Sequence, residues 1–301
     1  MTSAESIPVV TVQTLMGEKG IEHSVICLQS VVRYSRQPVR FNIHDDGTLS
    51  QASYERLSQA LPGVTIIGRE EADDHMLPLL RSYRRCSTIR SQHPLFLKLF
   101  DLALSGTGHL YYLDSDILFF RPFLGLFDPT YPLDALFMKD MREGYAVRPW
   151  RLKPFGPISL ASLINTGIIY CKRSLIDLDF IEYLLRQLSA DNVFRTRGQW
   201  AEQTCWAALA ERNSSGVLDP DIYKMVQPVT TSLTETTVAV HFVSTHRAQL
   251  FQMLNLQRDI DLEPISVRFA PARTCTAFDL LLSDVKARSL RLPIGRLLNA
   301  Q

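Results

Sequence analysis

The stretch HLYYLDSDILFF, residues 109–120, sets the interpretation of the whole chain. Its two ends are apolar, as expected of a buried strand, while its centre carries the carboxylates Asp114 and Asp116. Ligands of open α/β sheets bind at the carboxyl edge of the strands, and an apolar strand running into paired carboxylates is typical of such an edge. Side chains two residues apart on an extended chain point to opposite faces, so the two carboxylates converge only if the chain turns at Ser115.

Converged carboxylates offer hard oxygen ligands, which suit Mn²⁺ or Mg²⁺. One alternative is a plain turn between two strands that binds nothing. Another is the Asp-x-Asp-x-Thr/Val motif of phosphatases of the haloacid dehalogenase type. Here the fifth position of that motif is Leu118, and 113 residues precede Asp114, whereas the phosphatase motif lies on the first strand. We therefore favour a divalent metal site at Asp114 and Asp116.

The segments before this stretch alternate between strand and helix patterns. Runs of β-branched and apolar residues predict strands, and apolar residues at helical spacing predict helices between them. In chain order the expected elements are strand Val9–Leu15, helix Ile21–Tyr34, strand Val39–His44, helix Ser50–Leu61 and strand Val64–Ile67. This order predicts an α/β fold with an open, twisted, mostly parallel sheet and helices on both of its faces.

The later segments follow the same pattern with interruptions. We expect residues 68–92 and the proline-rich residues 128–160 to be irregular, and residues 109–120 to form one strand. The remaining expected elements are helices Pro94–Leu104, Asp177–Leu188 and Gln199–Arg212 and strands Ile164–Tyr170 and Val238–Val243. Because the alternation ends near residue 250, we predict a main domain over residues 1–250 and a small C-terminal appendage over residues 251–301.

The composition argues against several classes of protein. Lys and Arg number 32 and Asp and Glu 31, a net charge of +1, and 46% of the residues are hydrophobic. A disordered chain would be less hydrophobic and more highly charged, and a nucleic-acid-binding protein would carry a broad basic surface. The five cysteines form no CxxC pair, and no signal peptide or membrane span is recognisable. We therefore expect a cytoplasmic protein with reduced cysteines and no nucleic-acid partner.

Five motifs, in chain order, resemble those of a known family. They are NIHDDGTLS (42–50), FLKLFDLAL with LYYLDSDILF (96–104 and 110–119), INTGIIY (164–170), AEQTCWAAL (201–209) and HFVSTHR (241–247). The set is similar to the motifs of the retaining family 8 glycosyltransferases, which have the GT-A fold. The chain departs from the family at Thr14-Leu15-Met16, where Asp residues are usual, at Ser244 in place of Gly, and after Arg247, where Pro-Trp is absent.

The resemblance implies a metal site and a diphosphate site. Asp114, Asp116 and His241 would bind Mn²⁺ or Mg²⁺, and Arg247 would take the place of the family's diphosphate-binding lysine. Taken alone, a histidine inside the apolar run VAVHFV is more often a core residue than a ligand. A metal there would act as a Lewis acid on the departing diphosphate, and the fork-shaped guanidinium of Arg247 suits phosphate oxygens.

The resemblance also implies a sugar site. Asn165 and Gly167 would face the donor sugar, while Glu202 and Gln203 would lie beneath its anomeric carbon. Alternatively, Glu202 and Gln203 are ordinary polar residues on the protein surface, and the Lys98 side chain extends into solvent. The remaining residues expected to contact the nucleotide sugar are Thr14, Lys98 and Ser115.

These assignments predict a metal-dependent glycosyltransferase. It would move a sugar from a nucleotide sugar, expected to be a UDP-sugar, to a glycan, lipid-linked or protein acceptor with retention of configuration. Gln203 is a poor nucleophile, so we favour a front-face mechanism in which the diphosphate deprotonates the acceptor. One alternative is a catalytically inactive nucleotide-sugar-binding protein of the same fold. Another is a sugar nucleotidyltransferase, which would have a Gly-rich, basic first loop. The segment TLMGEKG (14–20) resembles such a loop only faintly.

Three further segments carry open alternatives. The arginines between residues 81 and 90 are expected in a solvated loop, and residues 139–156 are a candidate lid on the acceptor side. The last segment, 277–298, has an apolar stripe at helical spacing followed by basic residues. It either packs on the domain or makes weak contact with an anionic membrane surface, which would make the protein peripheral on a membrane.

Overall fold

The computed structural model describes residues 8–190, 197–227 and 231–289. In this part of the chain the central sheet has eight strands, and six of them run in one direction while β8 and β13 oppose them. In spatial order they are β13 (Phe269–Pro271), β9 (Ser215–Leu218), β7 (Ala135–Lys139), β8 (Ile164–Lys172), β4 (His109–Leu113), β1 (Val10–Met16), β2 (Val39–Asp45) and β3 (Thr65–Ile67).

Two smaller sheets adjoin the central one. Strands β10 (Tyr223–Met225) and β11 (Ala239–His241) are parallel, and β11 pairs antiparallel with β5 (Ile117–Phe119). Strand β6 (Phe123–Leu124) pairs with β12 (Ile265–Ser266). Residues 109–120, expected to form one strand, are therefore two strands in different sheets. They separate because the chain turns at residues 114–116.

Helices cover both faces of the central sheet. They are α1 (Ile21–Tyr34), α2 (Gln51–Ala60), α3 (Arg69–Leu79), α4 (Arg84–Gln92), α5 (Leu178–Ser189), α6 (Ala201–Glu211), α7 (Ala248–Met253) and α8 (Ala277–Ser289). Alternate residues of β8 enter two hydrophobic clusters: Ile169 and Cys171 lie with α5 and α6, while Ile168 and Tyr170 lie with α1 and α2. This two-sided burial is why the β8 sequence is apolar almost throughout.

Two expectations of irregular structure are wrong. Residues 68–92 contain α3 and α4, and residues 128–160 contain β7. The arginine expected in a solvated loop at position 90 is buried, because its guanidinium pairs with Asp101 at 2.5 Å and with Asp73 at 2.7 Å. The segment expected as helix Pro94–Leu104 forms a 3₁₀ turn (Pro94–Leu97) followed by a π-helical turn (Lys98–Leu102).

The C-terminal segment adds to the sheets described above. Strand β13 extends the central sheet by pairing with β9, and β12 pairs with β6. The boundary that we predict at residue 250 stays a prediction. None of the helices in the described ranges is long and apolar enough to cross a membrane.

Helix α4 begins with a cap supplied by another helix. The Glu182 carboxylate of α5 accepts hydrogen bonds from the backbone N–H groups of Arg85, at 2.9 Å, and Cys86, at 3.0 Å. These are N–H groups of the first helical turn, which have no partner within their own helix. The negative charge also lies where the helix dipole favours it.

Glu182→Ala is expected to lower the free energy of unfolding by about 1 kcal/mol, the usual effect of losing an N-terminal cap. Glu182→Gln keeps one acceptor oxygen without the charge, so it should lose less. Urea denaturation of the three proteins measures both values. Equal midpoints for wild type and Glu182→Ala would show that the cap contributes nothing.

Candidate active site

The turn at residues 114–116 brings both carboxylates of the acidic motif to one place. The backbone N–H of Asp114 donates to the carbonyl of Gly167 on β8, at 2.7 Å. The carbonyl of Asp116 accepts from the N–H of Phe242, directly after β11, at 2.9 Å. Potential ligand atoms of Asp114, Asp116 and His241 lie within 4.8 Å of one another. The predicted convergence of the two carboxylates is confirmed, and His241 joins them from a strand of another sheet.

The hydrogen bonds of His241 leave one ring nitrogen facing the two carboxylates. Its Nδ1 lies 3.1 Å from Oδ1 of Asn165, and the same Oδ1 accepts the N–H of Gly167 at 3.0 Å. Nδ1 is therefore the nitrogen that carries hydrogen, and Nε2 lies 3.1 Å from Oδ1 of Asp116 and 3.5 Å from Oδ2 of Asp114. An Nε2 lone pair beside carboxylate oxygens repels them unless a proton or a metal ion lies between.

This arrangement fits a divalent cation. Asp116 Oδ1 is buried and has no partner other than His241 Nε2 among the described residues. Burial acts to lower the pKa of His241, but the Asp116 and Asp114 carboxylates outweigh it and raise the pKa. Two carboxylates and an imidazole are ligands that Mn²⁺ accepts, and the bond from Nδ1 to Asn165 fixes the ring orientation.

Gly167 provides the space that His241 occupies. A Cβ atom at this position would lie 2.4 Å from Nδ1 and 2.6 Å from Cε1 of the histidine ring. Since side-chain atoms do not approach so closely, any larger residue at 167 displaces the imidazole. The structure thus gives Gly167 a steric role in addition to the sugar contact that the motif implies.

Two cations hold the carboxylates from outside the cluster. Nζ of Lys98 is buried and lies 2.8 Å from Oδ1 and 3.1 Å from Oδ2 of Asp114, whose Oδ1 also accepts from the Tyr112 hydroxyl. Arg247 binds Oδ2 of Asp116 through Nε at 2.9 Å and through its terminal nitrogen at 2.8 Å. Burial acts to raise the pKa of Asp116, but His241 and Arg247 outweigh it and hold the pKa below its usual value.

A cavity of about 1900 Å³ opens above this cluster. The loop after β1, the first turn of α1 and the segment after β11 contribute Lys19, His23, His246 and Arg247 to its wall. Strand β8, helix α6 and the residue after β7 contribute Asn165, Glu202, Gln203 and Asp140. The lining also includes Asp46, Lys98, Arg142 and Lys286. The volume exceeds that of a pocket for one small ligand, so the cavity has room for more than one bound group.

Helix α6 positions two of the predicted site residues. Its residues 201–210 are all buried, so Glu202 and Gln203 are not surface residues, which was the alternative. Oε2 of Glu202 accepts from the Thr166 hydroxyl at 3.2 Å, and Nε2 of Gln203 donates to the Gly144 carbonyl at 3.1 Å. Burial raises the pKa of Glu202 to about 7, although the charge of Lys98 opposes the shift.

Asp140 is a cavity residue that the sequence interpretation missed. It follows β7, and its Oδ2 accepts from Nε2 of Gln203 at 3.3 Å and Nδ2 of Asn165 at 3.4 Å. Burial raises its pKa, and the hydrogen bond from Asn165 opposes the shift. The run ALFMKD (135–140) is an apolar strand that ends in a carboxylate, the same signal that identified Asp114, but its proline-rich surroundings favoured a loop.

Not every predicted site residue lies on the cavity wall. Thr14 is fully buried within β1, and the residues that follow it, Leu15 to Gly17, line the cavity instead. Ser115 does line the cavity, and its Oγ accepts from the Ser24 hydroxyl at 3.2 Å. Lys98 lines it as well and is buried, so the alternative of a lysine extended into solvent is excluded.

Comparison with known proteins identifies the fold. No protein-family model and no curated protein matches the chain. Among solved structures, apo mouse xyloside xylosyltransferase 1 aligns with a TM-score of 0.53 at 13% sequence identity, over 78% of this chain and 97% of that one. Galactosyltransferase LgtC, solved with donor and acceptor sugar analogues, aligns with a TM-score of 0.49 at 12% identity, over 85% of this chain and 98% of that one. The similarity to the xylosyltransferase confirms the GT-A fold that the motifs predict.

The raised pKa of Glu202 makes stability depend on pH. A carboxyl group whose pKa is near 4.5 in the unfolded chain and about 7 in the folded one binds more protons when folded between these values. The contribution of Glu202 to the free energy of unfolding therefore falls by roughly 3 kcal/mol in total as pH rises from 4.5 to 7. Above pH 7 it stays at the lower value.

Glu202→Gln removes this dependence, because the amide has no charge to bury. In a chelating buffer the variant should be more stable than wild type at pH 8, with the difference shrinking toward pH 4.5. Denaturant unfolding at both pH values measures it, and Glu55→Gln on the exposed side of α2 is the control for replacing a carboxylate by an amide at the surface. A Glu202→Gln effect of equal size at both pH values would contradict the assignment.

Proposed function

We propose that the protein is a metal-dependent glycosyltransferase that moves a sugar from a nucleotide sugar to a glycan-type acceptor. One observation supports this above all: Asp114, Asp116 and His241 converge at the base of a cavity whose wall is basic in one part and acidic or amide in another. A diphosphate requires cationic groups and a sugar requires hydrogen-bonding groups for its hydroxyls. The donor we expect is a UDP-sugar, and the metal Mn²⁺ or Mg²⁺.

The basic part of the wall would bind the diphosphate. Arg247 presents a planar guanidinium that suits two phosphate oxygens, and its side chain is partly exposed to the cavity. His23 lies close enough to Arg247 for that charge, together with burial, to lower the histidine pKa, so the two belong to one surface. A metal ion held by Asp114, Asp116 and His241 would supply Lewis-acid stabilisation of the leaving diphosphate.

The acidic and amide part of the wall would bind the sugar. Asn165, Gln203 and Asp140 are joined by hydrogen bonds, so each side chain is held in place before a ligand arrives. Glu202 beside them would accept hydrogen bonds from sugar hydroxyls. Such preorganised polar groups fix the position of the anomeric carbon relative to the acceptor, the main requirement of group transfer.

Retention of configuration is what the resemblance of the motifs implies, and it requires either a nucleophile beneath the sugar or transfer on the front face. An amide such as Gln203 does not form a covalent glycosyl intermediate readily, and its Nε2 is occupied by Gly144 and Asp140. We therefore infer a front-face transfer, in which the acceptor hydroxyl attacks from the side that the diphosphate leaves and gives its proton to a diphosphate oxygen. The Gln203 amide dipole would stabilise the positive charge that develops on the ring.

Asp116→Asn is expected to fold normally and to lose at least ~100-fold in turnover, because one charged ligand is removed at constant volume. Gly167→Ala should act in the same direction by displacing His241 without changing any charge. A thermal-shift panel of nucleotide sugars with and without Mn²⁺ reads donor binding, since a bound donor raises the unfolding temperature.

The matched control is Gly68→Ala, at a position that does not line the cavity and where an added Cβ meets only the Tyr54 hydroxyl, at 3.4 Å. Wild-type turnover that persists in excess chelator would exclude the metal-dependent mechanism. Donor binding without transfer to any glycan, lipid-linked or protein acceptor would indicate an inactive binding protein. Pyrophosphate release from a nucleoside triphosphate and a sugar phosphate would indicate a nucleotidyltransferase.

An α-linked donor is expected to yield an α-linked product. Proton NMR of the anomeric signal, recorded early in the reaction, distinguishes the two configurations before any later equilibration. Glu202→Gln, which retains hydrogen-bonding capacity, should slow the reaction without changing the configuration. A β-linked product would contradict the front-face proposal while leaving the transferase activity itself intact.

A further inference from the structure

Helix α8 turns its apolar side to solvent. Phe278, Leu281, Leu282 and Val285 follow the i, i+3, i+4, i+7 spacing that places them on one face. All four side chains are exposed, by 41% to 70% of their surface. A helix of a folded domain normally buries such a stripe, so its exposure among the described residues makes it a candidate interaction surface.

Polar contacts fix α8 in this orientation. Ser283 Oγ accepts a hydrogen bond from the backbone N–H of Glu143 at 3.0 Å. Asp284 pairs with Arg197 at 2.7 Å, and Asp279 pairs with Arg273 at 2.9 Å. The fully buried Leu280 and the polar side chains of Ser283 and Asp284 therefore face the protein. Rotation of α8 to bury the apolar stripe would break the contacts to Glu143 and Arg197 and would expose Leu280.

A second exposed apolar element adjoins the first. The 3₁₀ turn Pro149–Arg151 packs against α8, and its Trp150 is exposed by 61%. Phe155, in the loop that follows this turn, is exposed by 74%. We call the surface formed by the exposed stripe of α8 with Trp150 and Phe155 the apolar face.

The surroundings of the apolar face are basic. Residues 144–176 contain no Asp or Glu, while Arg148 and Lys153 flank the two aromatic residues. Both carboxylates of α8 are already paired with arginines, and Lys286 is exposed near the end of the described helix. Aromatic and leucine side chains next to lysine and arginine are typical of surfaces that rest on anionic lipid.

We propose that the apolar face docks the protein on an anionic lipid surface. Ser283 and Lys286 of the same helix line the cavity, so docking would bring the cavity mouth close to the membrane. A lipid-linked or membrane-surface acceptor would then reach the site, a consequence that rests on the proposed function. The charge complementarity with anionic headgroups favours lipid over a protein partner. The binding is weak and salt-sensitive, as few basic residues contribute.

Flotation with vesicles of equal parts phosphatidylglycerol and phosphatidylcholine, and with pure phosphatidylcholine, tests the proposal on the full chain. Wild type should float with the anionic vesicles at low salt and much less at high salt. Trp150→Ser with Phe155→Ser, and separately Phe278→Ser with Leu282→Ser, should each weaken binding at least ~10-fold, since each pair removes two large inserted side chains. Leu77→Ser with Leu79→Ser on α3 is the matched control, since these leucines are also exposed, and it should bind like wild type.

Quenching of tryptophan fluorescence by brominated anionic lipid gives a second measurement. Wild type should be quenched, and Trp150→Phe should lose the quenching while it still floats. No flotation at low salt would overturn the proposal, as would equal loss in the control pair. A dimer that only the apolar-face variants abolish would instead identify a second copy as the partner. The increase in unfolding temperature caused by a nucleotide sugar should be the same in these variants as in wild type. This measurement therefore tests the proposed function separately from membrane docking.

Discussion

The repulsion between Asp114 and Asp116 is the constraint on which the site depends. Two carboxylates within 4.8 Å of each other repel by at least about 3 kcal/mol at an effective dielectric constant near 20. The fold offsets this with one cation for each, Lys98 for Asp114 and Arg247 for Asp116, and directs His241 at both. These groups come from separate elements, so the central sheet, β11 and the π-helical turn must all be in place before the acidic pair is tolerated. Arg247 contacts only Oδ2 of Asp116, so the buried Oδ1 remains free to bind a divalent ion.

The features predicted correctly from the sequence are those that local pattern determines. Helix α1 has the predicted bounds because its apolar residues repeat at helical spacing, and α2 and α5 begin after Ser50 and Asp177, whose side chains cap them. Helices α3 and α4 were missed because their stability comes from distant residues. The cap of α4 is Glu182, 97 positions away from Arg85, and the buried Arg90 is stabilised by Asp101 and Asp73. The sequence of α4 has only Cys86 and Ile89 as apolar residues among charged and polar ones, too few to show an apolar stripe.

The same distinction applies to the site. Asp114 and Asp116 are recognisable because the strand and the carboxylates are adjacent in sequence. The packing of His241 against Gly167, by contrast, is a contact between residues 74 positions apart on different sheets. Asp140 was missed because prolines on both sides of β7 outweighed its short apolar run. Thr14 was assigned to the site by position in a motif, yet it is buried inside β1, and the residues at the carboxyl end of the strand line the cavity. Distance from the end of the strand decides here between core and site.

The orientation of an amphipathic helix is the kind of information that periodicity does not contain. The apolar stripe of α8 is visible in the sequence, but packing onto the domain and facing outward produce the same pattern. The choice is made by the buried Leu280 and by Glu143 and Arg197, which belong to other segments and contact the inward side of the helix. Because Glu143 lies three residues beyond Asp140, the contacts that turn the apolar stripe outward also tie α8 to the segment that forms part of the cavity wall. An exposed apolar stripe costs solubility, and among the described residues the buried Leu280 and specific polar contacts hold α8 with this stripe outward, which is the orientation that the proposed docking requires.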